Sequence, residues 1–386
     1  MKFSIRGFPL IPSLILASVE FSYSQWVDIS NVETKLERTE MGGPRMVITY
    51  DLNDPDISPN SPAYIFIRYS TDSGALWKPL PVSSVRGEGH GLVESPGKKR
   101  NIWWGIRETG GLASDRIKVR VRGIKMVRVP KGRFLMKSLP GGGYDETRRE
   151  QRVSNLRLFY LAKHETTVSM YVDYLNEVGA EGAGWDERMS DPQRCGIVRA
   201  GESPNYTYAA GPGRENYPVT YVSWYDALAF LQWCGLTLPT EAQWEKAYRG
   251  GLYLDGDEIA KRPNPFPERT YPWGNEEPDA GDIHRCNHNS DKDGFPYVAP
   301  VCSFEEFNSP YDACDMAGNV SEWTLDWYST SFHADLDGFR MIRGGSWRSI
   351  PEGVDAVTGA TQLPLKGSGL VGFRAVQRFS KDEGGL

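Results

Sequence analysis

The densest group of side chains able to do chemistry lies between Asn287 and Phe295. Amide, hydroxyl and carboxylate oxygens recur through this stretch and cluster around Gly294. Calcium takes about six to eight hard oxygen ligands and mixes carboxylates with amide and backbone carbonyl oxygens. The segment is therefore a candidate calcium loop. On the residues alone a solvated turn is the favoured interpretation, since turns prefer the same residue types.

A second candidate group follows the glycine pair Gly344–Gly345. Glycine tolerates the backbone angles of a tight turn, so we expect the residues after it to lie at the rim of one concave pocket. These residues are Trp347, Arg348, Ser349 and Asp355. The indole would form an aromatic wall for a sugar ring or a peptide side chain. The alternative for Trp347 is a core residue that pins the turn, because indoles are highly buried on average.

No catalytic residues are predicted. The histidines, among them His164, His284 and His288, lack a recognisable set of nucleophile, base and orienting group. We interpret each of them as a hydrogen-bonded loop histidine.

The cysteines do not predict a zinc site, since no Cys-x-x-Cys or Cys/His ligand spacing is present. Cys234 falls in an apolar helical run and is expected to be a buried free thiol. Whether Cys286, Cys302 and Cys314 contain a disulfide stays open.

Bulk composition excludes two classes of partner. The chain of 386 residues has a formal net charge of −6, whereas a nucleic-acid-binding surface needs a basic stripe. No run of roughly 18 or more apolar residues occurs after the N-terminus, so no membrane span is predicted.

Residues 1–24 have the pattern of a secretory signal peptide. Basic residues precede an apolar run over 8–19, and small side chains at Ser22 and Ser24 suit cleavage before Gln25. We therefore expect export to the periplasm or the extracellular space. The alternative is a disordered N-terminus.

Residues 26–124 consist of short runs with alternating apolar side chains, separated by turn clusters. The predicted strands cover 45–52, 63–70, 101–104 and 116–121. This pattern is typical of a β-sandwich of immunoglobulin or fibronectin type. Such a module either binds carbohydrate or protein, or is a spacer that presents the next domain; the fold alone does not decide.

After residue 125 the pattern becomes mixed. Two strands around a Pro-Lys-Gly turn over 126–136 come first, and a helix is predicted over Val168–Val178. Segments 180–217 and 251–285 are rich in Gly, Pro, Asn and Asp and are expected to be irregular loops. Three helix caps are predicted, namely Thr167, Ser223 and Thr240, the last with Gln243 in a capping box.

Several motifs of this region, taken in order, closely resemble the formylglycine-generating enzyme, or sulfatase-modifying factor, family. They are Lys163–Thr167, Tyr217–Trp224, Leu238–Glu245, Tyr271–Gly274, Asp315–Trp323, Arg343–Ser349 and Gly372–Arg374. The resemblance covers about 126–378 and implies the fold of that family, a loop-rich α+β structure related to C-type lectins.

The resemblance also implies what has been lost. In active oxidases of the family two cysteine thiolates hold copper(I), an ion that soft sulfur ligands select. The matching positions here are Ser349 and Val354, and no cysteine follows Cys314. No copper is therefore expected, and the oxidase activity is predicted to be absent.

Two arginines that the family usually carries after the Trp347 turn are replaced by Asp355 and Gly359. This fits a lectin-like, non-catalytic ligand surface, and a relaxed surface without function would look the same.

By the same resemblance, a structural calcium would be held at two sites. The first would use the side chains of Asn287 and Asp293 and the carbonyls of His288 and Phe295, with Asp291 further out. The second would use Asn319 and Glu322.

The sequence thus predicts a secreted, non-oxidase binding or structural protein. A signal peptide (1–24) precedes a β-sandwich (26–124), a calcium-stabilised sulfatase-modifying-factor-like domain (126–378) and a tail (379–386). The expected partner is a glycan, peptide or protein that the sequence does not identify. One alternative is an oxidase that converts a sulfatase cysteine to formylglycine, and another is an unrecognised chemistry in the same pocket.

Overall fold

The computed structural model describes residues 26–38, 44–80, 82–105, 117–136, 152–257, 260–290, 292–328 and 338–377. The predicted signal peptide, the predicted tail and Asp291 lie outside these residues.

The described residues of the N-terminal region form strands, with a short 3-10 turn at Val82–Ser84. The strands are β1 (Ile29–Arg38), β2 (Pro44–Leu52), β3 (Ala63–Ser70), β4 (Lys78–Pro79), β5 (Val85–Arg86), β6 (Gly91–Val93), β7 (Gly97–Gly105) and β8 (Lys118–Val129). Four of them match the predicted runs. The sequence did not predict β1, because this edge strand carries mostly polar, exposed side chains.

The C-terminal region is mixed, and its helices and strands alternate with long loops. Its strands are β9 (Gly132–Met136), β10 (Arg152–Leu156), β11 (Phe159–Ala162), β12 (Ile197–Ala200), β13 (Thr207–Ala210), β14 (Ser321–Trp327), β15 (Arg340–Arg343), β16 (Gly359–Gln362), β17 (Val371–Gly372) and β18 (Val376–Gln377). The helices are α1 (Val168–Val178), α2 (Trp224–Cys234) and α3 (Glu241–Arg249). The whole is an α+β structure, rich in sheet and poor in helix.

Two antiparallel sheets enclose the N-terminal core. One has the order β1-β2-β7-β5, and the other contains β3, β4, β6 and the first part of β8. Apolar side chains from both sheets belong to one buried cluster, including Ile48, Ile102, Trp104, Ile67 and Val121. Their alternation along each strand is the pattern that the sequence displayed.

Strand β8 joins the two regions. Its residues up to Lys125 pair with β3, and its last four residues pair with β11. The resulting sheet has the order β18-β11-β8-β3-β4. The boundary predicted near residue 125 therefore falls inside a continuous strand.

Side chains on both sides of that boundary also pack together. Phe66 of β3 lies edge-on against Trp233 of α2, with ring centroids 5.4 Å apart. Glu177 of α1 accepts hydrogen bonds from Arg68 (3.0 Å), Arg120 (2.9 Å) and the Trp233 indole (2.9 Å). One aromatic and ionic contact zone thus connects β3 and β8 to the helices.

The helix caps were predicted correctly because they depend on local chemistry. Thr167 accepts a hydrogen bond from the Met170 amide at the start of α1. Ser223 and Thr240 each form a reciprocal capping box, with Asp226 and Gln243 respectively.

The loop prediction over 180–217 was only partly correct. This segment contains a 3-10 turn at Glu187–Ser190 and the hairpin of β12 and β13. The segment 251–285 is irregular apart from a short 3-10 turn at Ala280–Asp282. Within the described residues, no helix is long and apolar enough to cross a membrane.

Candidate functional site

The glycine pair after β15 forms the turn that the sequence predicts. Gly344 and Gly345 have φ angles of 92° and 69°, in the left-handed region that favours glycine. A Cβ on Gly345 would meet the carbonyl oxygen of Gly353. Glycine here lets the segment that begins with Trp347 pass close to the segment around Val354.

Trp347 is half-buried and held from several sides. Its indole nitrogen donates to the carbonyl oxygen of Gly369 (3.1 Å), and its ring packs edge-on against Tyr297, with centroids 5.2 Å apart. The Arg194 guanidinium lies 5.0 Å from the Tyr297 centroid and 5.7 Å from the Trp347 centroid. Trp347 thus pins the turn, as a core residue would. It also stays partly exposed, as an aromatic wall for a ligand would have to be.

The residues that surround this indole were not predicted from the sequence. Asp191 forms an ion pair with Arg194 and accepts a hydrogen bond from the Tyr221 hydroxyl (3.2 Å). Tyr221 has a φ of 62°, which is unusual for a bulky side chain. Strained backbone conformations of this kind cluster at functional sites. No local motif announces this cluster, because its members come together only through the fold.

Arg348 and Ser349 follow directly. Arg348 is exposed and has no ion-pair partner among the residues described. The Ser349 hydroxyl accepts a hydrogen bond from the Ser346 amide (3.0 Å), and its carbonyl accepts one from the Asn289 amide (2.9 Å). The second contact ties the Trp347 turn to the predicted calcium loop.

Asp355 caps its own turn. Its carboxylate accepts hydrogen bonds from the Val357 and Thr358 amides. Val354, beside it, is fully buried in a core cluster with Trp244. That Asp355 shares the pocket rim with Trp347, Arg348 and Ser349 stays a prediction.

The first predicted cation site has one unsatisfied ligand atom. The side-chain nitrogen of Asn287 donates to the Tyr297 carbonyl (2.9 Å), while its buried side-chain oxygen has no hydrogen-bond partner among the described residues. The Asp293 carboxylate accepts from the amides of His288 (3.1 Å) and Phe295 (2.9 Å). Burial raises the pKa of Asp293. A buried amide oxygen and a desolvated carboxylate are the chemistry that a hard cation satisfies.

The side chains of the second predicted cation pair, Asn319 and Glu322, are engaged in internal hydrogen bonds. The Asn319 side-chain oxygen already accepts from the Ala299 amide (2.9 Å) and from Asn287 (3.1 Å). Both oxygens of Glu322 are bound by Arg374, at 2.7 and 2.6 Å. Asn319 and Glu322 act here as internal hydrogen-bonding groups.

Two further acidic side chains, which were not predicted from the sequence, lie next to Asn319 and Glu322. Glu165 is buried and accepts from Asn319 (3.1 Å), and Asp315 accepts from the Cys302 amide. Burial raises the pKa of Asp315 to about 6, and burial together with Asp315 raises the pKa of Glu165. Arg374 is the cation that faces these carboxylates. Three buried carboxylates, those of Glu165, Asp315 and Glu322, thus face this one guanidinium within the described structure.

The cysteines divide into two groups. Cys302 and Cys314 form a disulfide, which settles the pairing that the sequence left open. Cys195, Cys234 and Cys286 are free and buried, as predicted for Cys234.

Three comparisons bear on identity. The sulfatase-modifying factor enzyme 1-like domain matches residues 114–379. A formylglycine-generating enzyme of Thermomonospora curvata is 42% identical over 137 residues, and this match covers 32% of the chain and only 40% of that protein. The inactive C-alpha-formylglycine-generating enzyme 2 of Bos taurus is 31% identical over 294 residues, covering 68% of the chain and 91% of that protein.

Among solved structures, that of PvdO from Pseudomonas aeruginosa superposes with a TM-score of 0.47 at 21% identity. This superposition covers 66% of the chain and 95% of PvdO.

Proposed function

The chain belongs to the sulfatase-modifying factor enzyme 1-like family, and we propose that it is a member that binds a ligand without oxidising it. The observation that carries this proposal is the chemistry at Ser349 and Val354. By resemblance these are the positions of the copper-binding thiolates. One side chain is a hydroxyl that accepts a backbone hydrogen bond, and the other is an aliphatic group buried in the core. Neither offers the soft ligand that copper(I) requires.

No neighbouring thiol is suited to replace them. Cys286 belongs to the same buried cluster as Val354. However, burial raises the pKa of the Cys286 thiol well above its ordinary value, so it stays protonated at neutral pH. The relative from Bos taurus, whose name describes it as inactive, is consistent with a non-oxidase member of the family.

Anaerobic titration with copper(I) tests the proposal. The background variant is Cys302→Ser/Cys314→Ser, so that only the pocket is sampled. We expect no stoichiometric binding. Adding Ser349→Cys/Val354→Cys is expected to create a binding site, because cysteine is close to serine and valine in size.

The oxidase alternative makes the opposite forecast. Stoichiometric copper(I) in the Cys302→Ser/Cys314→Ser background, together with conversion of a cysteine-containing peptide to its aldehyde, would establish it. The four-substitution variant serves as the positive control for copper binding.

The proposed ligand surface is the half-buried indole of Trp347 with Arg348 exposed beside it. Tyr297 and Arg194 hold the indole in place, so little side-chain entropy would be lost on binding. An aromatic wall next to an exposed cation suits a sugar ring or a peptide side chain with acidic or hydroxyl groups.

Glycan and peptide arrays probed with the full chain test this surface. Arg348→Ala is expected to weaken binding of any ligand that is found, and the exposed Lys366→Ala serves as the charge-matched control. Equal binding by wild type and Arg348→Ala would move the candidate surface to the N-terminal sheets.

We further propose that calcium stabilises the domain through Asn287 and Asp293, with the carbonyls of His288 and Phe295. Because Asn287 also holds the carbonyl of Tyr297, the ion would support the aromatic contact with Trp347. The chemistry that calcium supplies there is neutralisation of a desolvated carboxylate. In this proposal the fold is C-type-lectin-like, preceded by an immunoglobulin- or fibronectin-type sandwich. Export is supported by the Cys302–Cys314 disulfide.

A further inference from the structure

The Cys302–Cys314 disulfide lies beside the carboxylate of Glu305. Each of the three side chains offers one ligand atom, and these atoms lie within 4.8 Å of one another. Cys314 is buried, Cys302 is partly exposed and Glu305 is exposed, so the group opens to solvent on one side. We propose that reduction of this disulfide creates a binding site for a thiophilic divalent ion such as Zn²⁺, with both thiolates and Glu305 as ligands.

The two sulfur atoms should stay close after the bond breaks, because the backbone on each side is held independently. The Cys314 amide donates to the Lys163 carbonyl (2.8 Å), and the Cys314 carbonyl accepts from Arg374 (2.8 Å). The Cys302 amide donates to the Asp315 carboxylate. None of these contacts involves sulfur.

Glu305 is also placed by its own local structure. It begins the 3-10 turn Glu305–Phe307, and its carbonyl accepts from the Asn308 amide. The turn lies within the loop between Cys302 and Cys314, so the third ligand is close in sequence to both thiols.

A positively charged side chain lies close to the proposed site. A divalent ion with two thiolates and one carboxylate carries one net negative charge. The Lys163 ammonium lies 3.9 Å from the Glu305 carboxylate and 2.9 Å from that of Asp312. Three protein ligands with an open fourth position, filled by water, is an arrangement that Zn²⁺ accepts.

The reaction has two balanced steps. A small dithiol gives up two electrons and two protons, which breaks the Cys302–Cys314 bond and leaves two thiols and a cyclic disulfide of the reductant. The divalent ion then binds as both thiols release their protons, so metal uptake should weaken as pH falls.

Cobalt(II) is a suitable probe for the full-length protein, because thiolate ligation gives charge-transfer and visible bands. The protein is reduced with a dithiol, separated from it anaerobically and titrated with Co²⁺, and then Zn²⁺ is added. We expect one Co²⁺ per reduced chain, displacement by Zn²⁺, and no band for the oxidised protein.

Matched substitutions locate the site. Cys302→Ser is expected to abolish the charge-transfer band, and Cys286→Ala to leave it unchanged. Glu305→Gln should weaken binding at least about 10-fold, by analogy with the loss of a supporting group at metal sites. Asp312→Asn is its control, since side chains 305 and 312 are similarly exposed (62% and 59%) and both approach Lys163.

Three outcomes would overturn the proposal. One is a reduced wild type that binds no Co²⁺ at equimolar concentration. Another is a band that survives Cys302→Ser but disappears with Cys286→Ala. The third is equal affinity in Glu305→Gln and Asp312→Asn. None of them bears on ligand binding at Trp347, because the two sites share no residue.

Discussion

At the residue scale, the most unusual feature of the described structure is a cluster of buried ionisable side chains around Arg374. Glu165, Asp315 and Glu322 share the environment of Arg374. His164 precedes Glu165 in the chain and is influenced by the same guanidinium. Such groups are costly unless they are paired or neutralised. The sequence could not show this cluster, because Glu165 and Asp315 lie far apart along the chain and each belongs to a different motif.

The pH dependence of stability should carry a signature of His164. Burial, together with nearby cations, lowers its pKa from 6.5 to about 4. Between these two pKa values the unfolded chain binds a proton at His164 and the folded chain does not. The stability contributed by this group is therefore present above pH 6.5 and is lost as pH falls toward 4. The loss at about pH 5 should be about 2 kcal/mol.

Urea denaturation at about pH 7 and about pH 5 measures this effect. His164→Asn, which keeps a donor for the Glu165 carbonyl, is expected to reduce the difference between the two pH values by about 2 kcal/mol. An unchanged difference would mean that His164 takes up a proton as readily in the folded protein as in the unfolded chain, so that its pKa is not lowered by folding.

At the scale of single elements, the sequence predicted what is encoded locally. The three helix caps and the bounds of α1 need only neighbours in the chain. The hairpin of β12 and β13 was missed because Ile197–Ala200 buries one side chain and exposes three, which gives no alternating signal. The Arg194–Trp347 contact was missed because it depends on tertiary structure.

The loop from Cys286 to Tyr297 is the element on which a calcium prediction can be tested sharply. A ligand that binds only the folded protein adds stability by mass action, about 2.7 kcal/mol at 100 times its Kd. We expect calcium to raise the Tm of the wild type and Asp293→Asn to remove most of that rise. The substitution keeps an acceptor for the Phe295 amide.

Asp312→Asn is the control for this experiment, because Asp312 is an exposed carboxylate outside the loop. Glu322→Ala is a poor probe, since it would leave the buried Arg374 unpaired and destabilise the fold with or without calcium. A calcium response that is the same in Asp293→Asn and wild type would remove Asp293 from the site.

At the scale of the whole molecule, β8 makes the N-terminal sheets and the family domain parts of one structure. The strand pairs with β3 before residue 126 and with β11 after it. The matched family region begins at residue 114 and so includes all of β8. Composition indicated a boundary near residue 125 because turn-rich strands give way to mixed structure there. It could not indicate that one strand continues through the change.

Substitution of Glu177 tests whether the N-terminal sheets and the family domain unfold as one structure. Its side chain is 1% exposed and binds Arg68, itself 6% exposed, from the N-terminal sheets. Removing one partner of a buried pair leaves an uncompensated charge and costs about 3–5 kcal/mol. We expect Glu177→Gln to lower the unfolding free energy by roughly that amount. Asp173 lies on the same helix as Glu177 and forms a more exposed ion pair with Arg122. Asp173→Asn should therefore lower the unfolding free energy by only about 0–1 kcal/mol.

Because β8 and the Glu177 contacts couple the two regions, the loss of stability in Glu177→Gln should affect both regions in a single unfolding transition. Denaturation followed by near-ultraviolet circular dichroism and by far-ultraviolet circular dichroism should give one coincident transition, in wild type and in Glu177→Gln. Two separated transitions in the wild type would show that the regions unfold independently. In that case the N-terminal sheets would be a spacer attached to the family domain, and the shared strand would contribute little to the stability of either region.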